Sequence, residues 1–230
     1  QDPNRRRSRA MELLLEGRQW LKEGEPPQAV LQEVQDQLQA EPSHGETRAA
    51  CLKLLGAEAH LAAGEAEKAV PMASEALVLF KKLANHQGEM DATYAVVKGL
   101  MSKDAAAAVD VAGAAAGACH DCGDVEGEAA MLLCKAKASL ASMQDPYAAA
   151  EAAIASCLLY RQAGNASGDA AALEVTARAH LLYDPEQSLK AAKEALAVCS
   201  SGDTLPAIEE TLAAAKVQVA TAQRAEQAKY

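Results

Sequence analysis

Two series of turn-forming residues recur along the chain with one shared period of about forty residues. The first series is spaced by 40, 39, 41 and 39 residues and consists of Gly24-Glu25, Gly64-Glu65, Lys103-Asp104, Gln144-Asp145 and Tyr183-Asp184. The second series lies between these turns and has Asn or Asp followed three residues later by Gly or Pro, at Asn85–Gly88, Asp124–Gly127, Asn165–Gly168 and Asp203–Pro206. Two interleaved turns in one period divide each repeat into two segments.

The residues between the turns favour helix. Ala, Leu, Glu, Lys and Gln dominate these segments and are strong helix formers, while aromatic residues, which favour strands, are only 3% of the chain. We therefore predict an all-α fold of five repeats, each with a helix A and a helix B, and a final capping helix. The A helices are expected near 5–23, 46–63, 89–102, 126–142 and 168–182, the B helices near 27–40, 66–84, 105–120, 146–162 and 185–199, and the capping helix at about 204–228.

Small residues mark the face of helix B that approaches its neighbours, because small side chains allow helix axes to lie ~8–10 Å apart. Asp36 interrupts this pattern, so the first repeat is expected to be a degenerate or capping unit. A single pair of helices cannot bury both of its faces, and stability must come from stacking neighbours into a solenoid. The first small column is Ala29, Ala69, Ala108, Ala149 and Ser188, and the second is Asp36, Ala76, Ala115, Ser156 and Ala195.

The repeats predict one solenoid domain over residues 9–230. Its repeats are expected at about 9–44, 45–87, 88–126, 127–167 and 168–205, followed by the cap at 204–228. Residues 1–8 contain most of the basic run Arg5-Arg6-Arg7-Ser8-Arg9 and are expected to be a basic tail or a cloning remnant.

This arrangement resembles the tetratricopeptide repeat (TPR): a Gly or polar turn joins two helices, helix B carries small residues, and exits such as Gly123-Asp124-Val125-Glu126-Gly127 follow. The period near forty, instead of thirty-four, is similar to the longer variety in kinesin light chains and cell-polarity adaptors. The resemblance implies a right-handed α-α superhelix that acts as a non-enzymatic protein-binding scaffold or adaptor, with the A helices lining a concave groove. The aromatic positions of the family are mostly Ala, Val or Thr here, and the Pro that usually ends helix B is missing.

Positive charge recurs on the A helices and on the capping helix. Counting ten residues from each exit Gly or Pro gives Lys98, Lys137, Arg178 and Lys216. In the groove that the resemblance implies, these four residues form a stripe that receives an acidic peptide, a helix or a C-terminal carboxylate of a partner protein. The alternative interpretation is that all four are ordinary solvated surface residues.

Two other classes of function compete with this scaffold. In the first, the chain is a structural subunit of a larger assembly and associates through its ends or its convex face. In the second, Cys119-His120-Asp121-Cys122 supports redox or metal chemistry. A structural zinc site needs four ligands, and the end of helix B disfavours a thiolate, so these cysteines are interpreted as core residues. We expect no catalytic residue, no metal ligand and no cofactor.

The net charge and the cysteine content limit which class of partner and which cellular compartment are expected for this chain. A net charge of −10 and a pI of about 5.0 argue against nucleic-acid binding, which requires a basic surface. No apolar run approaches the roughly 18–20 residues of a membrane span. The six cysteines are too scattered for a disulfide-stapled secreted fold, so a reducing, cytoplasmic interior is expected. An organelle is the alternative location if a targeting peptide has been removed.

Overall fold

The computed structural model describes residues 3–40, 45–143, 145–199 and 204–227. These ranges contain eleven α-helices and no strand, which confirms the all-α prediction. The helices are α1 (Pro3–Lys22), α2 (Pro27–Ala40), α3 (Glu46–Ala62), α4 (Ala66–Lys82), α5 (His86–Lys103), α6 (Ala105–Cys122), α7 (Val125–Ser142), α8 (Pro146–Ala163), α9 (Ala166–Leu181), α10 (Pro185–Val198) and α11 (Leu205–Gln227).

Every helix predicted from the two turn series is present, and its predicted ends lie within three residues of the observed ends. The A helices are α1, α3, α5, α7 and α9, the B helices are α2, α4, α6, α8 and α10, and α11 is the final helix. The predicted turn residues Gln144 and Asp203 lie outside the described residues.

The chain divides into two compact units, Gln1–Asp104 and Ala105–Tyr230. In each unit every helix packs against the next helix in the chain. The A helices also pack across repeats, with α1 on α3 and α3 on α5 in the first unit, and α7 on α9 in the second, where α9 also packs on α11. Within the described part of each unit no B helix packs against another B helix, so the A helices form the closer layer. A single domain over 9–230 stays a prediction.

The first turn series contains two helix caps, Asp145 and Asp184, each followed by a Pro at the start of its helix. Asp145 Oδ1 accepts hydrogen bonds from the backbone N–H groups of Tyr147 and Ala148 at 2.9 and 3.0 Å. Asp184 Oδ1 accepts a hydrogen bond from the N–H of Gln187 at 3.1 Å. Each carboxylate therefore satisfies an N–H group that has no partner inside its own helix.

The second series caps the A helices. The side chain of Asn85, Asp124 or Asn165 accepts a hydrogen bond from the N–H of the glycine three residues later, at 3.1, 2.9 and 2.9 Å respectively. This cap places the start of α5 at His86, three residues before the predicted start. The Asn/Asp-x-x-Gly pattern thus marks the start of one helix as well as the end of the preceding helix.

Two of these glycines also make room for an aromatic ring from the preceding B helix. A Cβ on Gly168 would lie 2.4 Å from Cδ1 of Tyr160, and a Cβ on Gly88 would lie 2.3 Å from Cδ1 of Phe80. Carbon atoms in contact normally lie ~3.5–4.0 Å apart, so the rings occupy the space that a side chain would need. Tyr160 and Phe80 are buried, and each ring packs from the end of one repeat against the glycine at the start of the next.

The small columns pack as predicted from the second repeat onward, with Ala115 only half-buried. In α2 the prediction is wrong for Ala29, which is exposed while Val30 and Val34 are buried, whereas the exposed Asp36 agrees with the expected interruption of the second column. The turn before α2 spans 23–26 and is one residue longer than the turn at 63–65 before α4. The extra residue shifts the first buried position of α2 by one residue, from Ala29 to Val30. The fully buried members are Ala69, Ala76, Ala108, Ala149, Ser156, Ser188 and Ala195.

The interpretation as core residues is confirmed for Cys119 and wrong for Cys122, which is exposed. None of the six cysteines forms a disulfide, and Cys51, Cys119, Cys134 and Cys157 are buried. Among the described helices, none combines the length and the apolar character needed to cross a lipid bilayer.

Candidate functional site

The four predicted binding residues lie on helices of the closer-packed layer. Lys98 is on α5, Lys137 on α7, Arg178 on α9 and Lys216 on α11. Lys98, Arg178 and Lys216 are exposed, and Lys137 is half-buried. Lys98 belongs to the first unit, while Lys137, Arg178 and Lys216 belong to the second unit.

A buried carboxylate lies close to two of these cations. Glu174 precedes Arg178 by one turn of α9, is only 4% exposed, and places Oε1 3.6 Å from Arg178 Nε. Burial raises the pKa of Glu174, the positive charges of Arg178 and Lys137 oppose that rise, and the negative charge of Glu210 adds to it. Side chains from α7, α9 and α11 thus act on one carboxyl group.

Arg178 remains able to bind a further group. Its distance of 3.6 Å from Glu174 is longer than the ~2.7–3.2 Å of an N–H···O hydrogen bond. Oε1 of Glu174 is buried and accepts no hydrogen bond, and the Arg178 side chain is 52% exposed. Charge therefore keeps the guanidinium near Glu174, while its planar fork can still pair with a carboxylate from another molecule.

The structure thus brings Lys137 and Arg178 together around Glu174. Lys216 lies on α11, six residues after Glu210, and is not among the charges that act on Glu174. Sequence reasoning missed Glu174, although a carboxylate four residues before an arginine on a predicted helix is a recognisable pair. We call Lys137, Glu174, Arg178 and Glu210 the α9 charge cluster.

A second ionic cluster, in the first unit, was also missed. Arg18 Nη2 donates to Glu58 Oε1 at 2.6 Å and to Asp91 Oδ2 at 2.8 Å, and Arg18 Nε donates to Glu58 Oε2 at 2.9 Å. Burial lowers the pKa of Arg18, but the bonds and charges of the two carboxylates outweigh it and leave the pKa above its ordinary value. One guanidinium thereby joins α1, α3 and α5.

A signal for part of this cluster was present in the sequence. Arg18 and Glu58 are 40 residues apart, and Lys98 follows after the same interval, so all three occupy one repeat position. The column predicted from the exit glycines begins at Lys98 and therefore omits Arg18 and Glu58. Extending the column toward the N-terminus would have predicted an Arg–Glu pair between neighbouring A helices.

The two cysteines of the Cys119-His120-Asp121-Cys122 segment are ordinary thiols, Cys119 in the core and Cys122 on the surface. Burial, followed by the nearby negative charges, raises the pKa of Cys119 to about 11. Cys122 is exposed and its Sγ donates to the Cys119 carbonyl oxygen at 3.3 Å. A high pKa disfavours the thiolate that redox chemistry requires.

The opposite side of the second unit has a groove between α8 and α10, floored by α9. Ile154 and Leu158 line it and are 43% and 61% exposed. Leu173 and His180 lie in its floor, and its volume is ≈ 240 Å³. It exists because the two B helices do not pack on each other.

Comparison with known proteins supports the fold assignment. No protein-family model matches the sequence, and no curated protein matches it either. The chain is similar to crystal structures of the nearly identical TPR-like repeats of a protein from Podospora anserina designated a kinesin light chain. One, a single-substitution variant, is 17% identical with a TM-score of 0.65, covering 84% of this chain and 95% of that chain. The other is 18% identical with a TM-score of 0.59, covering 90% and 96%. The chain therefore has a TPR-like helical-repeat fold.

Proposed function

We propose that the chain is a protein-interaction scaffold, or adaptor, that binds a peptide or helical segment of a partner along its A helices. The TPR-like fold is of a kind that serves as a protein-binding scaffold and has no catalytic role of its own. The observation that carries the proposal is the α9 charge cluster, in which Arg178 keeps its binding capacity beside a buried carboxylate.

The proposed ligand is an acidic segment or a C-terminal carboxylate. Lys137 and Arg178 both act on the carboxyl group of buried Glu174, and Arg178 Nε lies 3.6 Å from its Oε1, too far for a hydrogen bond. A ligand carboxylate can therefore accept two hydrogen bonds from the guanidinium fork of Arg178. Lys216, an exposed cation on α11 of the same unit, is proposed to bind a further acidic residue of this segment, and Lys98, exposed on α5, is a proposed binding residue of the first unit.

The remaining parts of the proposal concern location and other ligands. A reducing, cytoplasmic interior is proposed, because the six cysteines are scattered along the chain and four of them are buried in the core. The net charge of −10 disfavours nucleic acid as a partner. No cofactor and no metal are part of the proposed function.

Affinity capture with charge variants of the full chain tests the proposal. Lys137→Gln/Arg178→Gln removes two positive charges from the A helices, and the control Lys190→Gln/Lys193→Gln removes two from the exposed face of α10. Partners identified by mass spectrometry should be reduced at least tenfold by the first variant and retained by the second, because each charge-assisted bond contributes ~1.5–3 kcal/mol. Circular dichroism checks that both variants fold.

Equal recovery of every partner by all three proteins would contradict binding at the α9 charge cluster. If the pair Lys137 and Arg178 proves necessary, Lys216→Gln then tests how far the binding surface extends within the second unit, and Lys98→Gln tests separately whether the first unit contributes to binding. A synthetic peptide from the captured partner, titrated calorimetrically, should lose affinity when its acidic residues are replaced by amides.

A second function is favoured by exposed apolar side chains on the B helices. Val78 on α4 and Leu158 on α8 are 66% and 61% exposed, and Leu158 lines the groove beside α10. Such residues suit a structural subunit that associates through its B-helix side. Leu158→Ser should then abolish assembly, measured by sedimentation of the native complex, whereas the A-helix charge variant should leave assembly intact.

A further inference from the structure

Two tyrosines from neighbouring repeats stack at the turn edge of the second unit. Tyr147 lies in the first turn of α8 and Tyr183 in the turn between α9 and α10, with ring centroids 4.1 Å apart and planes inclined by 30°. Tyr183 is half-buried, whereas Tyr147 is 60% exposed. Because Tyr183 covers one face of the Tyr147 ring, this exposure belongs mainly to the other face.

Three carboxylates lie close enough to the stacked pair to act on the Tyr183 hydroxyl. Asp145 precedes Tyr147 by two residues and caps its helix, Glu151 follows Tyr147 by one helical turn, and Asp184 adjoins Tyr183 in sequence. Burial raises the pKa of Tyr183, and Tyr147 together with these three carboxylates raises it further. These negative charges thus act on the hydroxyl end of the pair, and we call the two tyrosines and three carboxylates the tyrosine surface.

Two exposed apolar side chains lie close to the tyrosine pair in sequence. Met143 and Leu182, one in each of the two turns, are 82% and 60% exposed. Only five tyrosines occur in the chain, and two of them are in this pair. Exposed aromatic and Met side chains are characteristic of the centres of protein interfaces, where their flat surfaces are covered by a partner.

Aromatic rings attract cations through the negative charge of their faces, and nearby carboxylates add to that attraction. We propose that the tyrosine surface docks a basic segment of a partner protein, with an Arg or Lys side chain lying over the exposed face of Tyr147. Arginine suits the site better than lysine, because a planar guanidinium stacks on the ring while its N–H groups reach carboxylates. This surface is separate from the α9 charge cluster and selects ligands of the opposite charge.

A peptide titration against the full chain tests this site. The probe is a fluorescein-labelled twelve-residue peptide of alternating Arg, Gly and Ser, and its control carries citrulline, the neutral isostere, in place of every Arg. Saturable binding of the Arg peptide alone is expected by fluorescence anisotropy. Tyr147→Ala should weaken binding about fivefold or more, whereas Tyr147→Phe, which keeps the ring, should stay within about twofold of the wild type.

Charge variants separate this site from general attraction to an acidic protein. Asp145→Asn/Glu151→Gln/Asp184→Asn removes three negative charges and keeps both caps, because Asn caps helices as well as Asp. The control Asp124→Asn/Glu126→Gln/Glu128→Gln makes the same charge change at the start of α7. The first triple variant should weaken binding about tenfold and the control less than twofold.

Four results would overturn the proposal. Equal weakening by the two triple variants would mean that only net charge attracts the peptide. Unchanged affinity in Tyr147→Ala, or equal binding of the citrulline peptide, would remove the ring from recognition. Self-association of the wild type that Tyr147→Ala abolishes would identify a second copy, instead of a basic partner, as the occupant.

Discussion

Replacing Gly168 with Ala tests whether the contact between an aromatic ring and a glycine holds successive repeats together. The new Cβ would lie 2.4, 2.5 and 2.7 Å from Cδ1, Cε1 and Cγ of Tyr160, well inside the ~3.5 Å of ordinary carbon contact. Tyr160 is 7% exposed within the core cluster that includes Cys157, Leu173 and Ile208, so its ring must displace packed neighbours.

The magnitude follows from two opposing effects. Overpacking of this kind costs ~1–3 kcal/mol, while Ala in place of a helical Gly gains at most about 1 kcal/mol. We therefore expect Gly168→Ala to lower the free energy of unfolding by about 1 kcal/mol, a fall in Tm of about 2–4 °C for a chain of this length. Urea and thermal unfolding followed by circular dichroism at 222 nm measure both quantities.

Gly117 in α6 supplies the matched control, because a Cβ there would meet nothing within 4 Å. Gly117→Ala should raise stability by up to about 1 kcal/mol through helix propensity alone. Combining Gly168→Ala with Tyr160→Leu should cost less than the sum of the two single changes, since the smaller side chain relieves the overlap. If Gly168→Ala matches or exceeds the wild type in stability, the ring does not occupy the space assigned to it.

Three further predictions concern charge and thiols. Arg18→Met should lower the free energy of unfolding by about 1–2 kcal/mol, because it leaves Glu58 and Asp91 facing each other without their cation, and an unchanged urea midpoint would be inconsistent with that cluster. Glu174 has a raised pKa in the folded state, so ionising it lowers the stability of the fold as the pH rises from the ordinary pKa of Glu through the raised pKa. Glu174→Gln should remove this loss of stability from a plot of Tm against pH. The same dependence of Tm on pH in the wild type and the variant would contradict the prediction. Iodoacetamide at pH 7.5 should label exposed Cys122 well before buried Cys51, Cys119 and Cys157, whose pKa values are raised to about 11, as peptide mass spectrometry can show, and equal rates would contradict this burial.

The helices were predictable because their ends depend on local interactions. An Asn or Asp cap bonds to an N–H group only two or three residues away, and Gly64, Gly123 and Gly164 end helices with φ values of 75°, 76° and 73°. Such signals are complete within a few residues of sequence. The shift in α2 was not predictable in the same way, because one extra turn residue changes which face is buried without changing the helix limits.

The candidate site was predictable only in part. The repeat period placed Lys137 and Arg178 on successive A helices of the second unit, and the structure brings both toward Glu174. Asp91 joins Arg18 from 73 residues away, a pairing that depends on how α1, α3 and α5 pack and not on a shared repeat position. The Tyr147–Tyr183 stack depends likewise on the geometry of two turns, since the tyrosines occupy different positions in their repeats.

Photo-crosslinking from two sides of the second unit tests the central claim most directly. Benzoylphenylalanine in place of Glu210 reports on the A-helix side beside Glu174, and in place of Leu158 it reports on the B-helix groove. Binding along the A helices predicts that a captured partner crosslinks from position 210 through one acidic segment and not from position 158. Crosslinking from position 158 alone would contradict that claim and assign recognition to the B-helix side.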